Sequence, residues 1–463
     1  MPFRGDPDFT APELSNQEVV DSVMAPVGAS GLRSNIVIML LGLIALWGGW
    51  KFWEQTQLGM YVTGLGMPVY WGWYIATFIF WIGVAHAGAL ISAILRITGA
   101  EWKSCVTRIA EVITLFTLPA AASFPLIHIG RNGVFFYLIP YPNWRHIWPN
   151  FRSPLLWDFF AISTYLTGSV LFLYSTLIPD LGMLRQRVTG WKRTVYTILS
   201  WGWRGTQPEW KRMKEAAALF SVLILPVVIS VHTIVSWDFA MQLVPGWHET
   251  VFGPYFFIGA LYSGTAAVLT AMTILRWTCP SFKKLIEPSH YDYLGRMFLA
   301  LGLAWAYLFF NEFIPHYYAH DNDVLQYFND MAFHHYALPF WILFTFNFVI
   351  PVVTLGFREF RRNPLGMFIL AIMVNIGMFI ERMIIVVDGL QTYNNLARNP
   401  HLYFPSFTEL SVIGATFAAV TAGYILFVRV FPILPIWELL ETKARQKIHN
   451  VAGKKVYYFM WGE

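Results

Sequence analysis

Ten mostly apolar stretches recur along the chain, at 35–53, 72–96, 108–130, 154–179, 215–238, 254–276, 294–315, 337–357, 364–387 and 406–431. A helix needs about 20 such residues to cross the hydrocarbon core of a bilayer. Backbone inside that core has to satisfy its own hydrogen bonds, which leaves helices or a closed barrel. Stretches of this length predict an all-α integral membrane protein with ten transmembrane helices. Charged residues make up 13% of the chain and the mean hydropathy is +0.49, where soluble domains carry about 25% charged residues. The connections are short, and the longest, 180–214, is too small for a folded domain. Any soluble chemistry the chain serves therefore belongs to a different subunit.

Lys and Arg mark the two sides. Counted with flanking residues, the connections after the second, fourth, sixth and eighth stretches hold 3, 8, 4 and 3 of them, and the tail holds 6. The opposite connections hold 1, 3, 0, 0 and 1. Cytoplasmic loops carry the basic excess, so both termini are predicted on the cytoplasmic side of a bacterial inner membrane. Residues 1–34 read as a polar, acidic cytoplasmic segment without a signal-peptide cleavage site. Residues 35–431 read as the membrane domain and 432–463 as a cytoplasmic tail. One outer connection is basic, carrying Arg131, Arg145 and Arg152. It is either a long loop with incidental charges or a docking face and positive collar. The 190–214 connection interleaves Trp191, Trp201, Trp203 and Trp210 with Lys and Arg. That pattern suits a positive-inside anchor, or an amphipathic segment lying on the anionic leaflet.

Several chemistries are excluded early. Cys105 and Cys279 belong to no C-x-x-C pair, so a cysteine-held iron–sulfur cluster or tetrahedral zinc site is not expected. No nucleotide-binding or zinc-hydrolase motif occurs. His128, His232 and His316 all lie toward the outer side, so a single outer haem is conceivable, but a stacked pair is not. The expectation is a chain with no haem and no iron–sulfur cluster of its own.

The candidates for function are the polar residues inside the apolar stretches, because an ionisable group at membrane depth is costly unless paired or used. His128 stands in F-P-L-I-H-I-G-R at 124–131, near the outer end of the third stretch, and Asp158 lies near the outer start of the fourth. An imidazole and a carboxylate facing each other across one connection can hold the two hydroxyls of a quinol and accept its protons. Pro125 and Gly130 allow the backbone to bend and approach a ligand closely. Phe124, Pro125, Gly130, Arg131 and Arg152 are accordingly placed around the quinol. A static bridge between two helices is the plainer alternative. His86, in G-V-A-H-A-G-A-L, is either a satisfied core histidine or a functional one. His232 and Asp238 share the outer half of the fifth stretch, Glu312 and His316 end the seventh, and Glu381 and Arg382 lie deep in the ninth, followed by Asp388. Adjacent residues on a helix point different ways, so Glu381 and Arg382 are each expected to be met by another helix. These groups are either neutralised pairs or a proton relay.

The chain also hints at a duplication. Ile94-Leu95-Arg96 ends the second stretch as Ile274-Leu275-Arg276 ends the sixth. Arg108 precedes His128 by 20 residues, and Arg296 precedes His316 by 20. Helices 2–5 (72–238) and 6–9 (254–387) are then two related four-helix bundles in the same orientation, with one peripheral helix at each end.

The runs at 83–96 and 124–131, with Asp158, resemble the NrfD and polysulfide-reductase PsrC family of quinone-interacting membrane subunits. The layout is similar to the ten-helix form in bacterial alternative complex III, known as ActC. The resemblance implies bound menaquinol near the outer face, with His128 and Asp158 as ligands. It implies electron transfer to a periplasmic iron–sulfur subunit and on to multihaem cytochrome c subunits, beside a second NrfD-like subunit and small membrane subunits. It also implies a proton route through the bundles, to which His232, Asp238, Glu312, His316, Glu381 and Arg382 are assigned. Two other readings remain open. One is an NrfD/PsrC-type anchor of a molybdenum reductase; the other is a proton-coupled secondary transporter.

Overall fold

A computed structural model of the chain describes residues 14–29, 31–139, 146, 151–244, 246–247, 249–392, 402–451 and 454–459. Among these, ten helices are long and apolar enough to cross a membrane. They are α1 (Leu32–Leu58), α2 (Trp73–Ile97), α3 (Thr107–His128), α4 (Pro154–Leu184) and α5 (Gln207–Ala240). The others are α6 (Phe252–Thr278), α7 (Pro288–Ala319), α8 (Ala337–Leu355), α9 (Pro364–Thr392) and α10 (Phe407–Val430). Each coincides with one apolar stretch. Some run further than hydropathy predicts, because hydropathy marks only the part suited to hydrocarbon. A helix continues until a cap stops it: α5 begins at a capping box of Thr206 with Glu209, and α7 begins with Pro288 after Glu287.

Helices α2, α3, α4 and α5 pack in a ring, each on the next and α5 back on α2. Helices α6, α7, α8 and α9 close a second ring in the same order. The rings meet where α2 lies against α6 and α9, and α5 against α6. The most apolar window of α2 is accordingly 94% buried, while that of α1 is 6% buried. Helix α1 pairs with α10, which rests on α2 and α3. Small residues allow the close approaches: a Cβ on Gly88 of α2 would lie 2.2 Å from the Ala110 carbonyl oxygen of α3, and one on Gly48 of α1 would lie 2.4 Å from the Ser411 oxygen of α10.

Three features were not anticipated. A short helix, Asn322–Phe333, fills the α7–α8 connection, and a π-turn at Thr345–Val349 interrupts α8 just before Pro351. In the tail, Gln446–Val451 and Lys454–Phe459 form an antiparallel hairpin outside the otherwise helical architecture. The basic 190–214 connection contains the helix Trp191–Leu199, whose buried Tyr196 donates to the Val430 carbonyl at 2.7 Å.

The end of the first bundle nearest the chain termini is locked by buried ion pairs. Arg108 of α3 pairs with Asp180 of α4, and both are fully buried. Asp180 also accepts from the backbone N–H of Ile436 (3.2 Å) and Trp437 (3.1 Å), which docks the helix Ile436–Arg445. Arg96 reaches Glu111 (3.1 Å) and Glu438 (2.6 Å) beside it. Removing one member of such a pair strands a charge and costs about 3–5 kcal/mol. The other end of the first bundle is free of this constraint, and there the candidate residues gather.

Candidate functional site

His128 is the last residue of α3, and Gly130 two positions on has φ +68°, the left-handed conformation that ends helices. Pro119 and Pro125 interrupt the helix just before. The imidazole is partly buried, and its Nδ1 is sequestered with no protein hydrogen-bond partner. Phe124 is fully buried, its ring 6.1 Å from that of Tyr74. It is committed to the packing between α2 and α3. Arg131 and Arg152 are exposed on either side of the connection, and Arg145 lies outside the described residues.

Asp158, in the second turn of α4, is 4% exposed and Asp238, at the end of α5, is 6% exposed. Their carboxyl groups lie within hydrogen-bonding reach of each other. The Trp157 and Trp237 rings meet edge-to-face at 6.2 Å, fixing the two helix ends at one level. One carboxyl oxygen on each Asp has no hydrogen-bond partner. From the sequence, His128 and Asp158 are expected to face each other. Among the described residues no hydrogen bond or ion pair joins them; the direct neighbour of Asp158 is the second carboxyl, Asp238. Asp238 sits on α5, which packs on α4 more extensively than α3 does. A bare imidazole nitrogen and a carboxyl pair, all buried and unsatisfied, suit a ligand with two hydroxyl groups.

A second group of polar side chains follows the seam between the bundles. His86 of α2 donates from Nδ1 to the Ile82 carbonyl at 2.7 Å, which leaves Nε2 as a bare acceptor. Its ring meets that of His232 of α5 edge-to-face at 4.4 Å and that of Tyr165 at 4.7 Å. Both His232 nitrogens lack a protein partner. Across the seam Arg382 lies 4.8 Å over the Phe256 ring and fills the space that a side chain on Gly259 would need. Glu381 is met, as expected, from other helices: Tyr255 of α6 donates to it, and Trp305 of α7 donates at 2.7 Å. Arg382 is likewise met from α6, by the Phe256 ring, but its acid partner is its own neighbour, with Nη1 3.3 Å from Glu381 Oε2. Long side chains curl around a helix far enough for adjacent residues to meet.

The second bundle ends differently. His316 is engaged at both nitrogens, by Glu249 at Nε2 and by Asp321 at Nδ1 (3.1 Å). Glu312, one turn below, is 3% exposed. A cavity of about 320 Å³ opens nearby, lined by Phe309, Phe313, Phe328, Phe340, Trp341 and other apolar or aromatic side chains. Among the described residues no histidine, carboxylate, lysine or arginine lines it, and Tyr317 is its one ionisable side chain, so it can take an apolar chain but offers no base to receive a proton. The cavity lies in the second bundle, whereas the buried acid–base groups without partners, His128 and the Asp pair, lie at the end of the first.

The cysteines stand apart from both regions. Cys105 is buried and donates from Sγ to the Leu285 carbonyl at 3.1 Å, and burial pushes the Cys279 thiol up.

Residues 61–394 match the family described as polysulphide reductase, NrfD. Over 384 residues, 80% of each chain, the sequence is 25% identical to a putative dimethyl sulfoxide reductase membrane subunit of Halobacterium salinarum. It is 20% identical over 439 residues to a selenate reductase subunit of Mesobacillus selenatarsenatis, covering 91% of this chain and 98% of that one.

Proposed function

For a chain that belongs to the NrfD polysulphide reductase family, we propose the role of a quinol-oxidising membrane subunit that feeds electrons to an extrinsic reductase. The observation that carries this reading is the trio of buried, unsatisfied groups on the His128 face: His128 Nδ1 and one oxygen each of Asp158 and Asp238. A quinol supplies two electrons and two protons. In this reading His128 Nδ1 accepts one proton, and Asp158 accepts or orients the other. The adjacent Asp238 carboxyl gives a proton at Asp158 a second oxygen to move to. The basic excess on the termini side supports an orientation with this face outside, in the periplasm of a bacterial cell. Menaquinol is the quinol that the family resemblance suggests.

Electrons would leave through an iron–sulfur subunit docked on the same face. The reductase names of both relatives favour a molybdenum-type catalytic subunit beyond it. They favour it over the alternative complex III arrangement, with its multihaem cytochrome c and second NrfD-like subunit. The subunits that purify with the chain discriminate between the two. A molybdopterin subunit supports the reductase arrangement, and a multihaem cytochrome c supports the other.

The seam residues suit a proton route in series with the site. Asp238 and His232 are six positions apart on α5, about 9 Å at 1.5 Å per residue. Beyond them His86, Arg382, Glu381, Glu312 and His316 lead across into the second bundle, with internal water serving the unpartnered atoms. The primary test is the Asp158→Asn complex in native membranes. It should assemble yet lose quinol-dependent reduction of the terminal acceptor. Normal turnover would refute the assignment.

A further inference from the structure

We infer that Gln55 of the peripheral helix α1 is a positioning residue for the His128 site. Gln55 is 3% exposed, one of only two buried residues described on α1, the other being Gly48 at the contact with α10. Its Nε2–H donates to the Ile127 carbonyl at 3.1 Å and touches the Met60 sulfur at 3.3 Å. Its Oε1 accepts from the Tyr74 hydroxyl of α2 at 2.7 Å. The last carbonyls of a helix have no intrahelical partner, and Ile127, one residue before His128, carries one of them. Its helical partner would be the N–H of residue 131, but the backbone has already turned away at Gly130. Gln55 takes that place, supplying a C-terminal cap from another helix.

The Ile127 carbonyl, which can only accept, fixes which end of the amide is the donor, and the Tyr74 hydroxyl donates to the other end. The Tyr74 ring packs on Phe124, so the same residue also holds the helix one turn earlier. Met60, in the turn after α1, closes over Gly130, where a Cβ would lie 2.9 Å from its Cγ. Three elements thus brace the end of α3. Helix α1 precedes the 61–394 family match, so this brace is added to the bundle from outside it. Its effect is on where the His128 imidazole stands. Gln55 itself need not touch a ligand.

This inference rests on the quinol-site reading, and the test separates the two. The intact complex in native membranes is assayed with a short-chain naphthoquinol as donor, alongside the Asp158→Asn complex as a reference. Gln55→Leu keeps the volume but leaves the Ile127 carbonyl and the Tyr74 hydroxyl unpartnered. It should raise KM for the quinol about tenfold, the scale of one lost buried hydrogen bond, with kcat within about twofold and the amount of complex unchanged. Tyr74→Phe, the milder change, should shift KM in the same direction by less. An unchanged KM in Gln55→Leu would overturn the inference while leaving the site intact. So would total activity falling in step with the amount of complex at constant KM and kcat, since that marks a scaffold role alone. Normal turnover in Asp158→Asn would overturn the site, and the brace with it.

Discussion

The two bundles carry a histidine at corresponding places, each 20 residues beyond an arginine, yet the two ends are built differently. His128 closes α3 with a nitrogen that no protein group meets, and at the start of α4 and the end of α5 in the same bundle Asp158 and Asp238 form a buried pair of acids. His316, near the end of α7, is held at both nitrogens by Glu249 and Asp321. Their arginines differ in the same sense. Arg108 is fully buried on Asp180, whereas the Arg296 side chain is half exposed and pairs with Asp292 on its own helix. The first bundle is fixed at the termini end and chemically open at the other. The second satisfies its histidine and leaves an apolar cavity beside it. One residue type at matching positions therefore meets two different surroundings, and the unsatisfied hydrogen bonds tell them apart.

That contrast can be broken by experiment. His128→Ala should cost about a hundredfold or more in quinol-dependent turnover, the range for losing a positioned proton acceptor. The complex should still assemble, as judged by its polypeptide composition after solubilisation. Asp238→Asn should cost less, about tenfold to a hundredfold, because Asp158 remains; steady-state assays over a quinol series measure it. Asp180→Ala should act on stability alone. Stranding Arg108 costs about 3–5 kcal/mol, visible as a lower thermal midpoint and less complex, with KM unchanged in what survives. Glu381→Gln should leave electron transfer within about twofold but lower the protons moved per electron in sealed vesicles, if the seam conducts. The smallest effect is expected from His316→Ala, whose KM for quinol should stay within about twofold, since none of its contacts belong to the site. A rise in KM matching that of a Gln55 variant would erase the distinction between the bundles.

Much of this is legible in the sequence. Ten apolar stretches become ten helices because length and hydropathy are what a bilayer selects. His128 and Asp158 are recognisable from their cost at membrane depth. The partner of Asp158 is harder to see. Position along the chain groups Asp238 with His232 because they share a helix, yet its depth is readable: Asp158 lies near the start of α4 and Asp238 near the end of its antiparallel neighbour α5. Matching depths across consecutive helices joins them. Gln55 gives no signal, because a glutamine in an amphipathic W-E-Q-T-Q run looks like the polar end of a span. Only the hydrogen bond from Gln55 to the Ile127 carbonyl at the end of α3 singles it out. The contact between Glu381 and Arg382 escapes sequence reasoning for a related cause: spacing fixes where side chains start, and their length decides where they end.

The central claim is that quinol binds at the end of the first bundle. The most direct measurement is photolabelling of the intact complex with an azido-naphthoquinone, followed by peptide mapping. Label on the segments around 124–131 and 154–158, suppressed by excess quinol, is the result this account predicts. Label confined to 309–344, around the aromatic cavity of the second bundle, would contradict it.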